Sequence, residues 1–433
     1  MRFDVFWRLV YCLATWLALP LVLGYFAWRA RREPAYRQHW RERLGFVAPV
    51  PADAIWVHAA SVGEVVLIAP LVEALAVEFP QSPLLITTMT PTGRERAHNT
   101  FGQRASIHYA PLDTLGATRR FMRRAAPRIG ILVETELWPN LIAAAADRAV
   151  PLVLVNASVS ARSAARYARF PLAGATRFML SHIAAIGAAS EAHAQRFATL
   201  GAPVERIEAT GNLKYDTPDK RDTHEAGASL RTQWQAESRP VWVAASTHEG
   251  EETLLLQAFQ RLRAQQDRTL LVIAPRHPQR FDTVAALLAD SGWTIARRSI
   301  DEPVSATTDI VLADTLGEVP MFYSAADVVF VGGSAVAGIG GHNVLEPAAL
   351  GRVFCVGPYV NEWQEIVDGL EQAGAARVCQ TPVLLADTLA EWIARPDQAA
   401  AAGAAGRAHV RANAGALDRS KALVITVMTE HER

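Results

Sequence analysis

Carboxylates recur where apolar runs give way to helix-forming stretches, and these junctions are where chemistry is to be sought. In "HAASVGEVVLIAPL" (58–71), Glu64 directly follows Gly63. Strand–glycine–helix is the geometry of an anion site, because the unpaired N–H groups and the dipole of a helix N-terminus favour negative charge. An acid in that position is either a first-turn helix charge, worth up to about 1 kcal/mol, or a reactive group. "ETELWPN" (134–140) offers Glu134 and Glu136 before Trp138 and Pro139. Acid–Thr–acid at a strand's carboxyl end suits a polar ligand, and acids ahead of a proline equally suit a helix start. "TTMTPTG" (87–93) adds hydroxyls and a glycine, suited to a sugar, a phosphate or a turn.

The later half carries a different set. "APRHPQR" (274–280) holds Arg276 and His277 between prolines, and arginine is the residue for bidentate phosphate recognition. "DTLGEVP" (314–320) places Gly317 between Leu316 and Glu318, allowing close backbone approach. "VGGSAVAGIGGHNVLEPAALG" (331–351) has six glycines, whose backbone N–H groups suit a phosphate. Gly341, His342 and Asn343 lead into an Ala/Leu helix opened by Glu346. Asn343 stands where a dinucleotide fingerprint needs its third glycine, which argues against a nicotinamide cofactor. A nucleotide or nucleotide-sugar fits better. There is no P-loop, nucleophile elbow or D-x-D, and "HEGEE" (248–252) lacks the second histidine of a zinc site. His58, His277 and His342 fall in separate motifs, so no metal is expected.

The elements that must position these residues repeat twice. Apolar runs at 54–60, 83–89, 106–111, 128–134, 150–157 and 184–190 alternate with helical stretches, and the pattern restarts at 240–246, 269–275, 294–299, 309–314, 327–333 and 353–358. Continuous apolar strands joined by helices predict doubly wound parallel sheets. The polar segment "DTPDKRDTHEAGA" (216–228) reads as a linker between two lobes. The 433 residues, half of them hydrophobic, suit two domains of roughly 150–200 residues. Lys+Arg and Asp+Glu balance at 43 each, giving no case for a nucleic-acid partner. Three cysteines without a C-x-x-C pair argue against a disulfide framework and for a reducing compartment.

Residues 9–28, "LVYCLATWLALPLVLGYFAW", carry no charge and are long enough to span a bilayer. Arginines at 29, 31, 32, 37, 41 and 43 follow, which by the positive-inside rule keeps the rest of the chain cytoplasmic. The expected organisation is an anchor at 1–29, a basic juxtamembrane segment at 30–49, a first domain at 50–217, a linker at 218–228 and a second domain at 229–433.

Taken together, "PAYRQHWRERLGF", "SVGE", "TTMTPTG", "ETELWPNLI", "SARSAA", "GNLKYD", "STHEGEE", "PRHPQRF", "DTLGE" and "GGHNVLEPAA" resemble the 3-deoxy-D-manno-octulosonic acid (Kdo) transferases. The resemblance spans nearly the whole chain. It implies an α/β fold of two facing Rossmann-like domains (the GT-B glycosyltransferase type), with the last helix ending the second lobe or packing back on the first. It implies an inverting transfer of Kdo from CMP-Kdo to a lipid A precursor, lipid IVA, at the inner membrane, with no metal and no cofactor beyond the donor substrate. Glu64 would be the general base. Pro275, Arg276, Leu316, Gly317, Glu318, Asn343, Val344, Leu345 and Glu346 would bind the CMP moiety. Glu136, Lys214, His277, Gly341 and His342 are further cleft residues. Two positions depart from the family pattern: Ser158 where an arginine is customary, and a glycine loop one residue longer with Val344 for a proline.

From the residues alone, a transferase or epimerase using a UDP-sugar and a membrane-tethered nucleotide-sugar sensor remain alternatives.

Overall fold

A computed structural model describes residues 2–169, 172–216 and 222–431. The chain forms two compact units, Met1–Asp216 with Ala414–Arg433, and Thr217–Asn413. Each holds a seven-stranded parallel sheet. The first runs in the order β3-β2-β1-β4-β5-β6-β7, from β1 (Ile55–His58), β2 (Leu84–Thr88), β3 (Ala105–Tyr109), β4 (Ile129–Val133), β5 (Leu152–Ala157), β6 (Ala185–Ala188) and β7 (Ile207–Glu208). The second runs β10-β11-β9-β8-β12-β13-β14, from β8 (Val241–Thr247), β9 (Leu270–Pro275), β10 (Ile295–Arg297), β11 (Ile310–Leu312), β12 (Val328–Val331), β13 (Val353–Val356) and β14 (Ala376–Val378).

The strands read as unbroken apolar runs because both sheet faces are covered. In β1, Trp56 packs with Leu85, Phe121 and Leu132 on one face, while Ile55 and Val57 pack with Ile86, Ile131 and Val155 on the other. Each sheet grows outward from its first strand in both directions, so strand order reverses between β1 and β4 and between β8 and β12. Ligands of open α/β sheets bind at the carboxyl ends of the strands at such switch points. The loops holding Glu64, Glu136, Arg276, Gly317 and His342 all leave the carboxyl ends of strands.

Two segments depart from expectation, and a third, the closing helix, takes one of the two courses expected for it. Of the linker expected at 218–228, residues 218–221 lie outside the described residues, and a helix, Asp222–Gln233, occupies the rest. Its polar composition hides a buried face at helical spacing: Gly227 lies against Ser324, and Leu230 and Trp234 are buried, Trp234 stacking on Phe322. The closing helix Ala416–His431 belongs to the first unit, where Val424, Val427 and Met428 join its core. Asp216 caps that helix, accepting from Gly415 N–H and Leu417 N–H at 2.6 Å each. The basic juxtamembrane segment is partly core as well: Arg43 is fully buried between the rings of Phe26 and Tyr109 and donates to the Met89 carbonyl at 3.0 Å.

The N-terminal helix, Arg2–Arg29, is long and apolar enough over Leu9–Arg29 to cross a membrane by length and composition. It also sits on the first unit. Tyr11 O–H donates to Asp113 Oδ2 (2.9 Å), Cys12 Sγ–H to Asn140 Oδ1 (3.1 Å), and Phe26 packs edge-on to Trp40.

Candidate active site

In the first unit the switch point is lined by carboxylates. Ser61 ends the β1 loop as N-cap of helix Val62–Glu78, its hydroxyl accepting from Glu64 N–H. The Glu64 carboxylate folds back on the cap, Oε1 accepting from Ser61 O–H and Oε2 from Ala60 N–H, both at 2.8 Å. This is a variant of the S-x-x-E capping box, in which the acid reaches the N–H one residue before the N-cap and the N-cap hydroxyl. It fixes the orientation of the acid and takes one donor per oxygen, leaving lone pairs on each. Burial raises the Glu64 pKa and the charges of Glu136 and Glu134 raise it further, against the opposing bonds from Ala60 and Ser61. The helix N-terminus therefore does not dominate: the acid is harder to ionise than an ordinary glutamate.

Glu136 follows β4 across the switch point. Burial raises its pKa, yet His58 and the Trp138 indole N–H, which donates at 2.6 Å, lower it by more, and the net shift is downward. His58, fully buried at the end of β1, stands with Nε2 3.6 Å from Glu136 Oε2 and Nδ1 3.0 Å from Thr87 Oγ1. Two neighbouring carboxylates are thus pushed apart, one upward and one downward, the pattern by which acid and base roles are divided. Glu134 has φ +58°, and Thr135 O–H donates to the Ser158 carbonyl, joining the turn after β4 to the one after β5. Lys214 lies in the short turn Leu213–Tyr215, which is anchored by Leu213 N–H to the buried Asn156 Oδ1 (2.9 Å) and packs against helix Val62–Glu78.

In the second unit the switch point is basic. His248 follows β8 and His342 follows β12, and their Nε2 atoms are 2.7 Å apart with the rings stacked. One must donate and the other accept. His277 meets His248 edge-on at 5.1 Å. Burial and then the charges of His248, Arg276 and His277 push His342 down to about 4, and burial with His277, Arg280 and Arg276 lowers His248. Arg276 is exposed at the end of β9, directly after the buried Pro275. The lowered values favour neutral rings at His248 and His342, so the charge that suits this cluster to an anionic ligand is that of Arg276, with the imidazoles beside it as hydrogen-bonding groups.

The glycine loop does not work as the sequence suggests. The N–H groups of Gly333, Ser334 and Ala335 are taken by Glu251, which also accepts from His248 N–H, at 2.8 to 3.0 Å. A protein carboxylate occupies the cradle expected for phosphate. Glycine is needed there for packing: a Cβ on Gly332 would lie 2.4 Å from the Ser246 carbonyl, and one on Gly333 2.8 Å from the His342 ring. Gly341, at φ +89°, donates its N–H to the Gly333 carbonyl and carries the chain back to His342. Asn343 Oδ1 accepts from Leu345 N–H and its amide donates to Glu346 Oε1 at 3.2 Å. Val344 and Leu345 bury their side chains, leaving only backbone for a ligand. After β11, Leu316 is 68% exposed and Gly317 has φ +81°, while Glu318 is held by Arg298 through two bonds of 2.6 and 2.7 Å.

Sequence reasoning passed over Glu251 and Glu252, both buried. Glu252 takes a two-bond contact from Arg280 (2.8 Å each) and Thr247 O–H (2.7 Å). Their signal was the acid pair opening a helix after a strand, the same signal that marked Glu64. Cys355 and Cys379, distant in sequence, meet as buried free thiols. Among the described residues no group of three or more His, Cys, Asp or Glu is arranged to hold a metal ion.

A sequence model of a family described as 3-deoxy-D-manno-octulosonic-acid transferase (kdotransferase) matches residues 38–217. A 3-deoxy-D-manno-octulosonic acid transferase of Haemophilus influenzae is 38% identical over 417 residues, covering 95% of this chain and 97% of that protein. One of Bordetella pertussis is 39% identical over 429 residues, with 95% and 97% covered. The crystal structure of UDP-GlcNAc 2-epimerase from Neisseria meningitidis bound to UDP-GlcNAc matches with a TM-score of 0.54 over 87% of this chain and 100% of that one. At 15% identity that likeness speaks for the fold alone.

Proposed function

Since the chain belongs to the 3-deoxy-D-manno-octulosonic acid transferases, glycosyltransferases of lipopolysaccharide biosynthesis with a GT-B-type fold, we propose that it moves Kdo from CMP-Kdo to lipid IVA with inversion, using Glu64 as general base. The observation that carries this reading is the Glu64 carboxylate itself. It is oriented by its own cap, raised in pKa by burial, and set at the switch point beside Glu136. A base tuned toward neutrality accepts a proton in the transition state more readily than an ordinary glutamate.

In the proposed step Glu64 takes the proton of an acceptor hydroxyl while that oxygen bonds to the anomeric carbon of Kdo from the face opposite CMP. The bond from that carbon to the phosphate oxygen breaks, and CMP leaves with the electron pair. Charge on the leaving phosphate would be met by Arg276, with neutral histidine N–H groups as donors beside it, since the N–H groups of Gly333, Ser334 and Ala335 are held by Glu251. The backbone of Pro275, Leu316, Gly317, Val344 and Leu345, with the side chains of Asn343 and Glu346, would frame the nucleotide, and Lys214 and His277 would complete the sites. Glu318, neutralised by Arg298, would serve by fixing its loop. The N-terminal helix, packed along the first unit from Tyr11 to Phe26, would hold the enzyme at the inner membrane by its exposed apolar face rather than as the free single-pass span expected from the sequence. The arginines after it would lie on the cytoplasmic side.

The test is product analysis. Purified protein with CMP-Kdo and lipid IVA should yield Kdo-bearing lipid by mass spectrometry, with inverted anomeric configuration and release of CMP. Turnover of UDP-sugars in preference to CMP-Kdo, or retained configuration, would reject the reading.

A further inference from the structure

Between the N-terminal helix and the carboxyl ends of β1 to β4 lies a cavity of about 330 Å³, within the first unit. Thr15, Ala18, Leu19 and Val22 form its roof, and Leu112 and Leu141 are part of its floor. Most polar groups of the wall are already engaged, His58 Nε2 being a buried exception that makes no hydrogen bond. Tyr11 O–H donates to Asp113, whose oxygens also accept from Asn140 N–H and Leu141 N–H, and Thr15 O–H donates to the Cys12 carbonyl. Water filling such a space would find few of the two to four partners it needs. The cavity is built for an apolar occupant.

His58 and Trp138 also line this space, and they are the two residues that hold Glu136. An occupant therefore reaches from apolar wall to the edge of the carboxylate cluster. The outer face of the roof helix points to where it comes from. Leu9, Leu13, Trp16, Leu17 and Leu21 are 60 to 76% exposed, an unbroken apolar stripe at helical spacing. Arg31, Arg32, Arg37 and Arg41 lie exposed beyond the helix end. Apolar stripe and arginines together fit a lipid surface with anionic headgroups, so the cavity and the lipid phase lie on opposite sides of one helix.

We infer that this cavity takes one acyl chain of the lipid acceptor and so draws its head group to Glu64. The volume is at the low end of ligand pockets, roughly 300–1,000 Å³, room for one chain and not for the sugar head. This rests on the reading of a lipid acceptor but is tested separately from it.

The probe is a 14-carbon fatty acid with a terminal diazirine, added to the full chain in detergent micelles. On irradiation it should label Leu19, Val22, Leu112 or Leu141. Ala18→Trp, which fills the cavity, should cut that labelling at least fivefold, and Thr15→Phe should do the same from the other end; Leu17→Trp, on the outer stripe, should not. Ala18→Trp should also raise KM for lipid IVA about tenfold while leaving kcat within about twofold. Labelling confined to the outer stripe, or inner labelling unchanged in both filling variants, would overturn the inference. Kdo transfer by the wild type in the same preparation would then still stand, so the two failures can be told apart.

Discussion

Glu64 and Glu251 occupy comparable places in two copies of one architecture, the third and the first residue of their helices. Each sits in the first turn of the helix after the first strand of its sheet, beside the switch point, and each has its pKa raised by burial. Glu251 is fully buried and accepts four backbone N–H bonds, three of them from the glycine loop 82 to 84 residues away. Glu64 is half-buried, accepts one bond per oxygen and faces two other acids. A raised pKa is thus common to a structural clasp and to a candidate base. What separates them is whether an oxygen lone pair is left for a proton to reach.

The largest effect that would sharpen this contrast is at Glu251. Glu251→Ala leaves several buried N–H groups unpaired at about 1–3 kcal/mol each, so a loss of roughly 3–5 kcal/mol should appear in denaturant unfolding. A loss below about 1 kcal/mol would mean that the loop is not clasped. Next is Arg276→Ala: with the loop N–H groups occupied, this side chain is the main exposed cation there, and kcat/KM for CMP-Kdo should fall about 10- to 100-fold. A change under threefold would return the leaving-group role to the loop. The smallest effect is at Glu136. Its charge helps raise the Glu64 pKa, and a base works only when ionised, so wild-type kcat/KM should fall with acid at a pH above the ordinary glutamate value of about 4.3. Glu136→Gln should move that acid limb to lower pH. An unmoved or higher limb in the pH–rate profile would contradict the assigned coupling.

The sheets were legible because parallel strands buried on both faces leave continuous apolar runs. β7 and β14, two and three residues of mixed polarity, carry no such run. Helix Asp222–Gln233 was hidden because its buried face uses a glycine and a tryptophan among polar residues, so composition pointed to a linker. At the site, most residues after strands were visible as motifs, Glu251 and Glu252 excepted, but their partners were not. That Glu251 fills the glycine loop, and that Arg298 neutralises Glu318, are contacts between loops from different strands. The capping box of "SVGE" was local and readable, yet the junction suggested only a helix-end charge or a reactive group, and the fold makes Glu64 a cap whose lone pairs remain open.

That double role gives the most direct measurement. Glutamine serves as well as glutamate in a capping box but cannot act as a base. Glu64→Gln should therefore keep the wild-type unfolding midpoint while single-turnover Kdo transfer to lipid IVA slows by about 10²–10⁴-fold, the usual range for losing a general base. A variant equally stable and within about threefold of the wild-type rate would contradict the account.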